Sequence, residues 1–158
     1  MATKDKYEFF NQRFIEEAER QRDLLKKSQL YFSVITIVSS ILFANIIDYK
    51  LLVTNNQSLK IYTVVLLVDL AVILLFLFFS IRVQNYIQAI STEDYLENLG
   101  DKEETDKDFF DNRIADFIAS IDRNKYINNK KAEFLKYSEY AILVFILLIL
   151  LITLQIFI

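Results

Sequence analysis

The chain has 158 residues, of which 54% are hydrophobic and 25% charged, and its formal net charge is −3. It holds no Cys, His, Trp or Pro and a single Gly. These absences exclude a disulfide framework, a zinc, haem or iron–sulfur site, His-based acid–base chemistry and a Gly-rich phosphate loop. They also deprive a strand-and-turn fold of its turn residues, which leaves a helical protein.

Taken in chain order, residues 1–27 predict one charged helix that enters an apolar run without a breaker. Tyr7, Phe10, Phe14, Ala18, Gln21 and Leu25 recur at three- and four-residue steps and form a narrow seam. That seam is suited to packing on a second helix of the same chain, to self-association, or to both. Residues 28–48 are the first expected span, followed by a short loop over 49–60 and a second span over 61–82. The run from Ile61 to Ser80 is bounded by Lys60 and Arg82 and reaches roughly 30 Å, the thickness of a hydrocarbon core. Each run is apolar all round, and a chain of this size has too little core to hide three such helices.

Residues 83–136 predict a second charged helical segment. Val83, Ile87 and Ile90 continue the helical period; Ser91 or Thr92 begins a short helix that ends near Leu99, with Gly100 as its stop. Thr105 then caps a helix whose apolar face carries Phe110, Ile114, Phe117, Ile118 and Ile121. This helix is expected to run through DRNKYINNKK into the third span, 137–158. Residues 93–108 have a net charge of −6 and residues 123–136 a net charge of +4. The acidic block lacks the Gly and the acid spacing of a calcium loop. The basic block has two readings: a solvated face beside anionic headgroups, or a site for an anionic ligand such as a nucleotide at Arg123, Lys125, Lys130 and Lys131, with Asn124, Asn128 and Asn129 as donors.

Lys and Arg set the expected topology. Residues 1–27 carry seven and 82–137 carry nine, against two in the loop 48–60. The N-terminus and the segment 83–136 are therefore expected in the cytoplasm, and the short loop and C-terminus outside. The fold class is all-α: an integral membrane protein of three transmembrane helices, with a cytoplasmic helical module formed by the N-terminal helix and the segment between spans two and three.

Within the spans, Asp69 stands out because a carboxylate in hydrocarbon costs several kcal/mol unless paired, protonated or facing water. Counted from mid-span, Asp69 and Ser40 share one depth and Asn45 and Gln155 another, which predicts Ser40–Asp69 and Asn45–Gln155 contacts within a chain or between chains. Thr36, Ser40 and Ala44 form a small-residue stripe that Ser33 extends. The bland role of this stripe is helix packing within one subunit. The functional role is to line or gate a pore, which three spans of one chain cannot enclose and which therefore requires oligomerisation.

The segments RDLLKKSQLYFSVITIVSSILFANI (22–46) and NKYINNKKAEFLKYSEYAILVFILLILL (124–151) resemble small bacterial membrane effectors of anti-phage defence, of the SLATT-like and cyclic-nucleotide-system types. The resemblance implies oligomerisation and membrane disruption on arrival of a cytoplasmic sensor protein or nucleotide signal. The third span departs from the two-span pattern, and the chain has no nucleotide-binding domain, which favours a sensing partner. The leading expectation is thus a homo-oligomeric effector whose partners are the bilayer, itself and a cytoplasmic signal, with no sequence-specific nucleic-acid binding. The alternatives are a non-conducting scaffold that presents Phe110, Phe117 and Ile121 to a soluble partner, or a transporter accessory subunit. No cofactor is expected, and no enzymatic activity: without His or Cys the remaining nucleophile arrangement is Ser–Lys, and Lys27–Ser28 reads as an ordinary interfacial pair.

Overall fold

The computed structural model describes residues 3–48, 55–82 and 105–157. They form three helices: α1 (Thr3–Asp48), α2 (Gln57–Arg82) and α3 (Asp106–Phe157). α1 has 46 residues and α3 has 52, so the N-terminal charged segment, and the second one from Asp106 onward, each continue into an apolar run as one uninterrupted helix, as the lack of Pro and Gly predicts. Helix starts are chemically marked. The Asn56 Oδ1 accepts from the Leu59 amide at 3.2 Å, and the Thr105 hydroxyl accepts from the Asp108 amide at 3.2 Å. Thr105 also donates to the Asp108 carboxylate at 2.6 Å, a reciprocal cap that holds the expected start of α3. The expected features at 83–104, namely Val83, Ile87, Ile90, the Ser91/Thr92 cap, the Gly100 stop and most of the acidic block, lie outside the described residues.

The chain divides into two compact units, Met1–Asp23 with Gln84–Lys130 and Leu24–Val83 with Lys131–Ile158. In the first, α1 and α3 run parallel. Tyr7 packs on Phe110 and Phe117 with ring centroids 5.4 and 5.6 Å apart, and Phe14 packs on Phe117 at 5.6 Å. Further along, Asn128 donates to the Glu17 backbone carbonyl at 2.9 Å and to its carboxylate at 2.8 Å, and Arg20 donates to the Asn129 side-chain oxygen at 2.8 Å. The predicted seam residues Tyr7, Phe10, Phe14, Ala18, Gln21 and Leu25 are all half-buried, as are Asn11 and Glu17 beside them, and the other charged positions between them are exposed. This seam is therefore used inside the chain.

The second unit is a three-helix bundle. α2 runs antiparallel to α3, because Phe79 meets Phe134 and Phe76 meets Tyr137 as one helix descends and the other rises. Its core is Ile35 from α1, Leu59, Leu66, Leu70, Ile73 and Leu77 from α2, and Leu135, Phe145 and Ile152 from α3. The opposite faces are just as apolar: Leu30, Ile37, Val68 and Leu147 are each at least 60% exposed. In water such a surface is an aggregation hazard, whereas hydrocarbon solvates it at no cost. All three helices are long and apolar enough to cross a membrane, which points to a membrane location.

Candidate functional site

The polar stripe of α1 lies on the outside of the bundle. Ser28, Ile35 and Ser39 are the buried residues of α1 in this unit; Ser33, Thr36, Ser40 and Ala44 fall on a face about 130° away and are exposed. Each hydroxyl is satisfied within its own helix: Ser33 donates to the Gln29 carbonyl at 2.9 Å, Thr36 to Phe32 at 2.7 Å and Ser40 to Thr36 at 2.9 Å. They therefore tolerate an apolar environment yet remain able to accept a bond from outside. Asn45 is exposed on a different face and donates to the Ile41 carbonyl at 2.8 Å.

Asp69 sits half-buried on the flank of the Leu66–Leu70–Ile73 line, and its Oδ2 is buried with no hydrogen-bond partner. The Gln155 Oε1 is in the same condition. Ser28 and Ser80 stand side by side, and that register brings Ser39 and Ser40 level with Asp69. The expected intrachain contact does not form. Consecutive residues on a helix differ by about 100°, and it is Ser39 that turns inward, donating to the Ile35 carbonyl, while Ser40 turns out. The Asn45–Gln155 contact is likewise not made within the chain, because Asn45 bonds its own helix.

The basic segment is not gathered into one site. Arg123, Lys125 and Lys130 are exposed, but Lys131 is 3% exposed and Asn124 and Asn128 are fully buried. The Asn128 amide already donates to Glu17, whereas the Asn129 side-chain oxygen accepts from Arg20, a bond that does not use the Asn129 NH2. Phe110 and Phe117 are not partner-facing either: Phe117 is 4% exposed, Phe110 packs on Tyr7, and Ile121 is half-buried, while Ile118 is the member of that apolar set that stays exposed. Among the described residues no group of three His, Cys, Asp or Glu side chains is placed to hold a metal ion.

Two polar joints in the bundle were not legible beforehand. In the first, the Ser28 hydroxyl donates to the Leu24 carbonyl at 2.8 Å and lies 2.8 Å from the Ser80 hydroxyl, which is 3.3 Å from the Lys131 carbonyl. One buried pair of serines thus touches all three helices. In the second, the Lys27 amine meets the Glu139 carboxylate at 2.7 Å, and Tyr31 donates to the same oxygen at 3.2 Å. The Glu139 hydrogen bond raises the Lys27 amine above its ordinary value of 10.5. Its contribution to stability is complete below 10.5 and is lost only as pH climbs through the raised value, so it is constant at neutral pH.

Burial acts in the reverse sense on Lys131, lowering its amine below 10.5. The unfolded chain then binds the proton more tightly, so stability rises with pH between the lowered value and 10.5. Lys131→Met keeps the buried stem and removes the ammonium. It is expected to stabilise the bundle by about 1–3 kcal/mol at neutral pH, read as a higher midpoint of thermal unfolding in detergent. An unchanged or lower midpoint rules out an unfavourably buried charge.

Comparison with known proteins adds no relative: no family model, no curated protein and no solved structure matches the chain.

Proposed function

We propose that the chain is a homo-oligomeric membrane protein whose copies meet through the outer face of α1 and form or gate a pore in a bacterial inner membrane. The observation that carries this reading is the row Ser33, Thr36 and Ser40, exposed on a helix whose other outer residues between Leu30 and Ala44 are Leu, Ile, Val, Phe and Ala. Small residues in such a row let a second helix approach closely, and their free lone pairs offer a polar lining that lipid cannot use. The half-buried Asp69, unpartnered in a single chain, is the charge such an assembly brings near its polar path. A cytoplasmic signal is the trigger in this reading, and depolarisation of the cell is the outcome, as befits an effector of anti-phage defence. The scaffold alternative is weakened because Phe110 and Phe117 are spent on internal packing.

The test is the triple substitution Ser33→Leu, Thr36→Leu and Ser40→Leu. These side chains are exposed and hydrogen-bond within their own helix, so the bundle folds as before. The expected result is a drop in the mass of the detergent-solubilised complex to that of one chain, together with loss of membrane depolarisation on overexpression, measured with a potential-sensitive dye. A triple variant that still assembles and still depolarises removes the stripe from the mechanism.

A further inference from the structure

Within the three-helix unit each helix carries a cation stacked on an aromatic ring four residues away, as α1 and α3 also do in the first unit at Arg13–Phe9 and Arg113–Phe117. Lys27 lies 5.6 Å from the Tyr31 ring centroid, Arg82 lies 5.5 Å from that of Phe78, and Lys136 lies 5.8 Å from that of Tyr140. All three pairs are at one end of the bundle. Lys27 adjoins Ser28, Arg82 is two residues beyond Ser80 and Lys136 is five beyond Lys131, and those three backbones meet at the serine joint. At this end of α1 and α3 the cation precedes its ring, and in the antiparallel α2 it follows. Each of the three therefore points its ring toward the apolar run and its charge away from it. Phe78 and Tyr140 are 49% and 55% exposed, so neither ring is there to fill the core.

The charge at this end is unbalanced. Among the described residues of this unit, Lys26, Lys27, Arg82, Lys131 and Lys136 stand against Glu133 and Glu139 at this end, and Glu139 is occupied by Lys27. Arg82 and Lys136 are exposed and enter no ion pair among the described residues. The other end of the bundle offers Lys60 as its one cation among the described residues. Rings that seat at the headgroup level, with ammonium and guanidinium groups just beyond them, match the layering of a phospholipid surface and the sign of an anionic one.

We infer that this collar is a binding surface for anionic phospholipid, with Arg82 and Lys136 as the headgroup contacts and Phe78 and Tyr140 as the rings that fix their depth. The inference rests on the membrane location of the three helices and is independent of pore formation. Lys27 takes the lesser part, because Glu139 already neutralises it.

The full chain is purified in a nonionic detergent with equal amounts of phosphatidylglycerol and phosphatidylcholine, and the lipids retained on it are counted by native mass spectrometry. The expected result is a preference for phosphatidylglycerol that falls about fivefold for each cation removed in Arg82→Gln and Lys136→Gln. Two further variants keep the result readable. Arg82→Lys with Lys136→Arg preserves the charge and should retain the preference, which shows that these positions tolerate change. Arg123→Gln with Lys125→Gln removes the same charge from exposed positions of the other unit and should also retain it. Equal retention of the two lipids by the unaltered chain overturns the inference, as does an equal loss from both glutamine pairs. Release of the chain from native membranes by alkaline carbonate would instead overturn the membrane location itself.

Discussion

Phe117→Ala is expected to separate α1 from α3 in the first unit of the otherwise intact chain. The side chain is 4% exposed, and its ring is shared by Tyr7 and Phe14 on α1 and by the Arg113 guanidinium, 5.3 Å from its centroid. Truncation removes both cross-helix ring contacts and the cover over a nearly buried cation. The usual cost of removing a buried Phe is about 3–5 kcal/mol. Phe9→Ala is the control, since Phe9 is 48% exposed and meets only Phe10 and Arg13 of its own helix. Amide hydrogen exchange reads the outcome. Protection over residues 4–23 and 107–120 should fall by orders of magnitude in the Phe117 variant and remain close to the original in the Phe9 variant. Equal effects in the two would remove the cross-helix packing from the account.

The same residue shows what sequence could and could not deliver. Helical period placed Tyr7, Phe10, Phe14, Phe110 and Phe117 on apolar seams, and the lack of Pro and Gly predicted that α1 and α3 run unbroken. Period alone does not say which seam meets which. Phe117 was equally suited to a soluble partner until the ring contacts with Tyr7 and Phe14 fixed its use. Residue counting brings Ser39 and Ser40 level with Asp69, because rise per residue is constant. Azimuth was not legible. In runs that are apolar all round, no polar face marks which side turns inward, so Ser39 and Ser40 were indistinguishable until packing chose between them. The joint of Ser28 and Ser80 is hidden for a related reason, since two serines 52 positions apart carry no pairing signal in one sequence. Glu139 was invisible as a partner for Lys27 because it sits where an apolar run begins and reads as a boundary charge.

Asp69→Leu is expected to raise stability and abolish function together. In a single chain the Asp69 Oδ2 is buried without a hydrogen-bond partner, on the flank of a core line of Leu66, Leu70 and Ile73. An aspartate at the centre of a spanning helix costs about 2.5–3.5 kcal/mol on insertion scales, and leucine recovers that amount and adds favourable transfer of its own. The monomeric bundle should therefore unfold at a higher temperature in detergent. If the carboxylate serves only internal packing, the gain has no counterpart, and depolarisation persists. If it faces the polar path of an assembly, the same change removes the charge that recruits water and cations, and depolarisation is lost while the complex keeps its mass. Asp69→Asn separates charge from hydrogen bonding: it should keep the assembly and reduce conduction. A stability gain with depolarisation intact would assign Asp69 no functional role. A stability gain with depolarisation lost is the pattern of a residue whose cost to the fold is offset by what it does in the membrane.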